Sequence, residues 1–219
     1  MIAENLLRIK KGIPQDVTLV AVSKTKPPKD ILEAYSAGHR IFGENRVQEL
    51  TEKYEALPKD IEWHMIGHLQ TNKVKYIVPF ISLIHGVHKF KLLKEINKEA
   101  VKIERVVDVL LQFHIAREDS KFGFDFDEVR AMLESREFTE LQNVNVRGVM
   151  GMATFTEDRE IIENEFRTLS NYFQVLKSNY FKFNDTFSII SMGMSGDYEI
   201  AIEQRSNMVR LGSSIFGER

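Results

Sequence analysis

TLVAVSKTKPPKDILEAYSAG, residues Thr18 to Gly38, reads as a buried strand, a polar turn and an amphipathic helix. Thr18 to Ser23 is an apolar, β-branched run with no alternation, the pattern of a strand covered on both faces. Pro27 and Pro28 suit the first turn of a helix, where a missing N–H costs nothing. Ile31, Leu32, Ala34 and Tyr35 supply its apolar side, and Gly38 is placed to end it in a left-handed cap. The same unit recurs along the chain. Strands are expected at Arg40 to Gly43, Glu62 to Ile66, Ile81 to Val87, Val106 to Ile115, Asn145 to Met150, Phe187 to Met192 and Met208 to Leu211. Helices are expected between them at Asn45 to Leu57, Asn72 to Val78, Lys89 to Val101, Asp125 to Ser135, Asp158 to about Tyr180, and Tyr198 to Gln204. In the long helix Ile162, Phe166, Leu169, Phe173 and Leu176 recur at spacings of four and three, on one face.

Strands buried on both faces and alternating with helices call for parallel pairing and right-handed crossovers. About eight such units close into a single α/β domain, a (β/α)8 TIM barrel over residues 1–219. An open doubly wound sheet is the alternative, but it often carries a Gly-rich nucleotide loop after its first strand, and here that turn is Ser-Lys-Thr-Lys-Pro-Pro.

Composition narrows the function classes. Thirty Lys and Arg against thirty-two Asp and Glu leave a net charge of -2, which gives no electrostatic reason to expect nucleic acid as a partner. With no cysteine there is no disulfide, thiolate metal site or thiol nucleophile. The start MIAENLLRIKKG lacks a secretory pattern, and no apolar run approaches the roughly 20 residues that span a bilayer, so a cytoplasmic protein is expected. The length leaves no room for a second large domain beside one of about 200 residues.

In such a barrel the active groups gather at the C-terminal strand ends. Lys24 ends the first strand. Burial beside it would favour a neutral, nucleophilic amine, although local sequence alone favours an ordinary surface lysine. Gly212, Ser213 and Ser214 follow the last strand, and SMGMSG (Ser191 to Gly196) follows the seventh. Small residues and hydroxyls there suit an anion, or simply a turn. Arg210, in the last strand, needs an acceptor, either a carboxylate or a ligand heteroatom. Asn45 is a helix cap or a ligand contact. His64 is a ring-stacking or hydrogen-bonding group at the mouth, or a structural histidine. Met192, with Met150, Met152 and Met194, packs the upper core or lines a pocket wall. Ser120 and Lys121 stand after the fifth strand. The His64/His68 and His85/His88 pairs lack an acidic partner at motif spacing, so no metal site is expected.

VAVSKTKP (Val20 to Pro27), FGENRVQE (Phe42 to Glu49), WHMIGHLQTNK (Trp63 to Lys73), RGVMGM (Arg147 to Met152), SMGMSGDYEIAI (Ser191 to Ile202) and MVRLGSSIFGER (Met208 to Arg219) together resemble the YggS/PROSC family. These are pyridoxal 5'-phosphate homeostasis proteins, similar in fold to the barrel domain of alanine racemase. The resemblance implies a cofactor, pyridoxal 5'-phosphate, held as an internal aldimine on Lys24. It implies phosphate contacts from Ser191, Gly212 and Ser213, and a ring nitrogen facing Arg210. With Asn45, His64 and Met192 added from their places at the strand ends, the expected cofactor-binding set is Lys24, Asn45, His64, Ser191, Met192, Arg210, Gly212 and Ser213, with no catalytic residue. Arg46, His88 and Arg205 depart from the family's common Tyr, Asp and Gly, and Ser213 replaces a frequent Thr but keeps the hydroxyl.

Two functions follow: storage, carriage and delivery of the cofactor to apo-enzymes by a monomer or weak dimer, or racemisation of amino acids through the same linkage. Racemisation normally asks for two positioned bases, and Lys24 serves one face. In the resembling racemases the second comes from a further domain, whereas this chain is expected to stop at Arg219, which favours the carrier. A barrel enzyme acting on another phosphorylated substrate is the reading left if Lys24 is unmodified.

Overall fold

Eight strands, Thr18–Val22 (β1), Ile41–Glu44 (β2), Glu62–Met65 (β3), Leu83–Val87 (β4), Val107–Gln112 (β5), Val144–Met150 (β6), Ile189–Ser191 (β7) and Met208–Leu211 (β8), pair in parallel in chain order, and β8 closes on β1. This is the (β/α)8 barrel that the alternation predicts. The computed structural model describes residues 1–118 and 122–217. Its helices are Ile2–Gly12 (α1), Pro28–Ser36 (α2), Val47–Ala56 (α3), Val74–Ile77 (α4), Phe90–Val101 (α5), Phe126–Leu133 (α6), Arg136–Thr139 (α7), Arg159–Asn179 (α8), Tyr198–Glu203 (α9) and Ser213–Phe216 (α10).

Local chemistry explains most boundaries. The Asp158 carboxylate accepts from the Glu160 and Ile161 amides and starts α8, whose Ile162, Phe166, Leu169, Phe173 and Leu176 are buried as their spacing predicts. Asp125 and Glu128 form a reciprocal capping box at α6. The expected helix at Asn72 to Val78 is a 3-10 turn, Thr71–Lys73, followed by α4. Helix α3 starts only at Val47, leaving Asn45 and Arg46 in the connection. Strand β5 ends at Gln112, because Phe113 and His114 turn aside to bridge Phe124.

Helix α1 precedes the first strand and lies outside the strand-helix repeat. Leu6 and Ile9 are buried, and the Asn5 amide donates to the Ile215 carbonyl at 3.2 Å, tying α1 to α10. Strand β7 is three residues long and is completed by a side chain: Asn207 Oδ1 accepts from the Ile190 amide while its Nδ2 donates to the Ser188 carbonyl.

Side chains alternate between two cores. Outward residues such as Phe42, Trp63 and Met65 join the large cluster between sheet and helices. Inward residues Val20, Leu83, Leu110, Met150 and Met208 form a smaller cluster in the lumen. Buried polar groups, His64, His85, Ser191 and Arg210, belong to neither cluster. Among the described residues no helix is long and apolar enough to cross a membrane.

Candidate functional site

A cavity of about 540 Å³ opens where the C-terminal strand ends meet. Lys24 reaches it from the turn after β1, Asn45 from the residue after β2, Arg210 from β8, and Gly212 and Ser213 from the segment just beyond. Five of the expected site residues therefore converge on one space.

His64, Ser191 and Met192 are not among the lining residues, and the period of the strand explains each. His64 points into the barrel one layer below the mouth; Ile66, two residues on, lines the cavity in its place. The two residues after Ser191 carry the chain past the sheet, so Ser191 is fully buried while Ser195 reaches the cavity. Met192 packs in the outer core, and Met194 lines the cavity instead. The buried hydroxyl expected on the ligand thus lies beneath the cavity floor.

Below that floor a hydrogen-bonded chain crosses the lumen. Arg210 Nη1 donates to Ser191 Oγ at 2.6 Å and Nη2 to the Gly151 carbonyl at 3.1 Å. Ser191 Oγ lies 3.0 Å from His85 Nδ1, and His85 Nε2 lies 3.0 Å from His64 Nδ1. A guanidinium only donates, so it occupies one lone pair of Ser191 Oγ, which keeps its proton and its second lone pair for the contact with His85 Nδ1. Both imidazoles are neutral. Burial pushes His64 down to about 3 and His85 well below its ordinary value, and the Arg210 charge opposes ionisation of His85 further. Burial also lowers Arg210 to about 10, against the pull of Asp197, so it remains a cation at neutral pH.

The turn carrying Lys24 is held from the other side. Lys53, on α3 and almost fully buried, donates to the Ser23 carbonyl at 2.8 Å, to Glu44 Oε1 at 2.7 Å and to Glu49 Oε1 at 2.6 Å. Ser23 Oγ donates to Glu44 Oε1 at 2.6 Å, and the Thr25 amide to Glu49 Oε1 at 2.5 Å. Burial pushes the Glu44 carboxyl above its ordinary range, opposed by the Lys53 ammonium.

Several lining residues had no strand-end signal. Thr154, Phe155 and Thr156 come from the long connection between β6 and α8; it is anchored by Glu165, which accepts from the Thr154 amide at 2.6 Å and hydroxyl at 2.7 Å. Ile162 reaches the cavity from α8, Lys26 from the turn after Lys24, and Asp197 from the approach to α9. The Glu165 to Thr154 spacing crosses a loop whose path the sequence does not specify.

Of the departures from the family pattern, Arg46 is exposed and stands at the N-cap position of α3, where its side chain makes no capping hydrogen bond. Arg205 sits at φ 74, a left-handed position that explains a common Gly. His88 donates its Nδ1 proton to the Gly86 carbonyl at 3.0 Å and makes tilted ring contacts with His68 and Phe122. Ser120 and Lys121, and the terminal Glu218 and Arg219 of the last motif, lie outside the described residues. Among the described residues no group of three or more His, Cys, Asp or Glu side chains is arranged to hold a metal ion.

Residues 1–219 match the family model described as alanine racemase, N-terminal domain. Similar curated proteins include the pyridoxal phosphate homeostasis protein of Aquifex aeolicus, 42% identical over 202 residues, covering 92% of this chain and 86% of the relative. That of Escherichia coli K12 is 34% identical over 233 residues, covering 100% and 97%. Among solved structures, PipY of Synechococcus elongatus PCC7942 superposes with a TM-score of 0.93 without PLP and 0.89 with PLP bound, at 33% identity over 99% of this chain and 100% of that one. Alanine racemase of Clostridium difficile 630 superposes at 0.79 with 16% identity, over 100% of this chain and 56% of that one, which is a likeness of fold alone.

Proposed function

The chain belongs to the alanine racemase N-terminal-domain family, alongside the pyridoxal phosphate homeostasis proteins, and from that premise we propose that it binds pyridoxal 5'-phosphate through Lys24 and serves as a carrier of that cofactor rather than as an enzyme. The observation that carries this reading is the convergence of an amine (Lys24), a buried guanidinium (Arg210) and a Gly/Ser segment (Ser195, Gly212, Ser213) on one cavity.

The donor set fits the ligand. When bound, the cofactor supplies an aldehyde that condenses with an amine, losing water to form a Schiff base, and Lys24 is the residue we assign to it. Ser195 and Ser213 offer hydroxyls, and the small Gly212 allows close backbone approach, which suits a phosphate. Arg210 spends two donors on Ser191 and the Gly151 carbonyl and has further N–H groups for a ring nitrogen. A cation there would disfavour protonation of that nitrogen and so would blunt the ring as an electron sink. Asn45, on the β2 side of the cavity, is the remaining expected contact. His64 and Met192 act from behind the lining, and Ser191 acts through Arg210. The apo-enzymes that need the cofactor are the recipients this reading implies.

Incubating the protein with pyridoxal 5'-phosphate, reducing with borohydride and mapping peptides tests the assignment. A single stable adduct on Lys24 is expected, and an adduct elsewhere with Lys24 unmodified would reject it. Carriage is separated from racemisation by mixing the loaded protein with L-alanine in heavy water: the carrier leaves the α-proton unexchanged, whereas turnover with exchange favours the racemase.

A further inference from the structure

Both chain neighbours of Lys24 are tied to one ion cluster, Lys53 with Glu44 and Glu49, of which Lys53 and Glu44 are buried and Glu49 is partly buried. Ser23 is held through its carbonyl by Lys53 and through its hydroxyl by Glu44, and Thr25 is held through its amide by Glu49. The Lys53 ammonium has three protons, and its three acceptors, Ser23, Glu44 and Glu49, account for all of them. The turn itself is closed by the Lys26 amide donating to the Ser23 carbonyl at 3.0 Å. Its third position, Thr25, has φ 65, where glycine is the usual occupant and a β-branched residue is strained. A strained residue persists only where its surroundings over-determine it, and the Glu49 bond to the Thr25 amide is such a restraint.

We propose that Lys53, acting through Glu44 and Glu49, is a positioning residue that locks the Ser23 to Lys26 turn and so presents the Lys24 amine to the cavity ready to react. The inference rests on the reading of Lys24 as the Schiff-base lysine. Lys53 is not among the cavity-lining residues. Its effect therefore falls on the linkage and not on the noncovalent contacts of the ligand.

The test compares two ligands on wild-type protein, Glu49→Ala, Thr25→Gly and Lys53→Met. Pyridoxal 5'-phosphate reports Schiff-base formation by its visible band, and pyridoxine 5'-phosphate, which has no aldehyde, reports noncovalent binding by calorimetry. Lys53→Met strands Glu44 in the interior and endangers the fold, so the other two variants carry the test. Glu49→Ala and Thr25→Gly are expected to slow Schiff-base formation about tenfold or more, while affinity for pyridoxine 5'-phosphate stays within about twofold of wild type, since small losses of alignment at a reacting atom are costly. Thr25→Gly should do this with no loss of thermal stability, a combination that a merely structural role does not produce. Wild-type Schiff-base kinetics in both variants, or an equal loss of both ligands, overturns the proposal. No Schiff base in the wild type itself is a different failure, of the Lys24 reading, and the proposal falls with it.

Discussion

Arg210 Nη1 donates to Ser191 Oγ at 2.6 Å, and both side chains are buried. Serine 191 is thus the support of the arginine, while Ser195 is the serine of the same segment that faces the cavity. Ser191→Ala would leave Arg210 Nη1 and His85 Nδ1 without their partner. It should lower unfolding stability by about 1 to 3 kcal/mol, the cost of a buried group left unpaired. Ser195→Ala should leave urea stability near wild type and weaken binding of pyridoxal 5'-phosphate. The reverse pattern would restore Ser191 to the ligand.

Acid should destabilise the protein from about pH 6.5 downward. Burial holds His39 at about 4 and His64 at about 3 in the fold, against 6.5 for an unperturbed imidazole. Below 6.5 the unfolded chain takes up protons that the folded chain refuses, so stability is full above that pH and falls toward 4 for His39 and toward 3 for His64. The slope is about 1.4 kcal/mol per pH unit for each histidine. Urea midpoints between pH 7 and 4 measure it. His39→Gln keeps a donor for the Ile41 carbonyl and should flatten the curve, and an unchanged slope would contradict the assignment.

Arg205 offers a stabilising substitution. It occupies φ 74 on the exposed turn after α9, and glycine there removes a left-handed penalty of about 1 kcal/mol. Arg205→Gly should raise the melting temperature by a few degrees with cofactor binding unchanged.

Gly67 is needed for close approach. A Cβ at this position would press on the Asn45 carbonyl oxygen and lie 2.7 Å from Asn45 Cα. Asn45 lines the cavity, so Gly67→Ala should displace it and weaken pyridoxal 5'-phosphate binding, with a stability loss of about 1 to 3 kcal/mol from overpacking. Wild-type affinity would show that the Asn45 segment tolerates the shift.

The barrel was legible because its signals are local: β-branched runs, Pro27 and Pro28 at a helix start, Gly38 at its end, and the α8 stripe from Ile162 to Leu176. The strand-end rule located the cavity through Lys24, Asn45, Arg210, Gly212 and Ser213. It missed depth. Whether a residue reaches the mouth or stops beneath it depends on strand length and register, so Ile66 and Ser195 line the cavity where the strand-end rule points to His64 and Ser191. Two features had no local signature at all. Nothing in the local sequence marks Glu44, Glu49 and Lys53 as a cluster, yet tertiary packing buries Lys53 between the two carboxylates and against the first turn. Helix α1 lies ahead of the first strand, outside the repeating unit from which the rest was inferred.

The central claim is that the Lys24 amine holds pyridoxal 5'-phosphate. Titrating purified wild-type and Lys24→Ala proteins with the cofactor, and following the visible band of its protonated Schiff base, tests it most directly. A saturable yellow band in the wild type that is lost in Lys24→Ala is the predicted result; an equal band in both proteins would contradict the account.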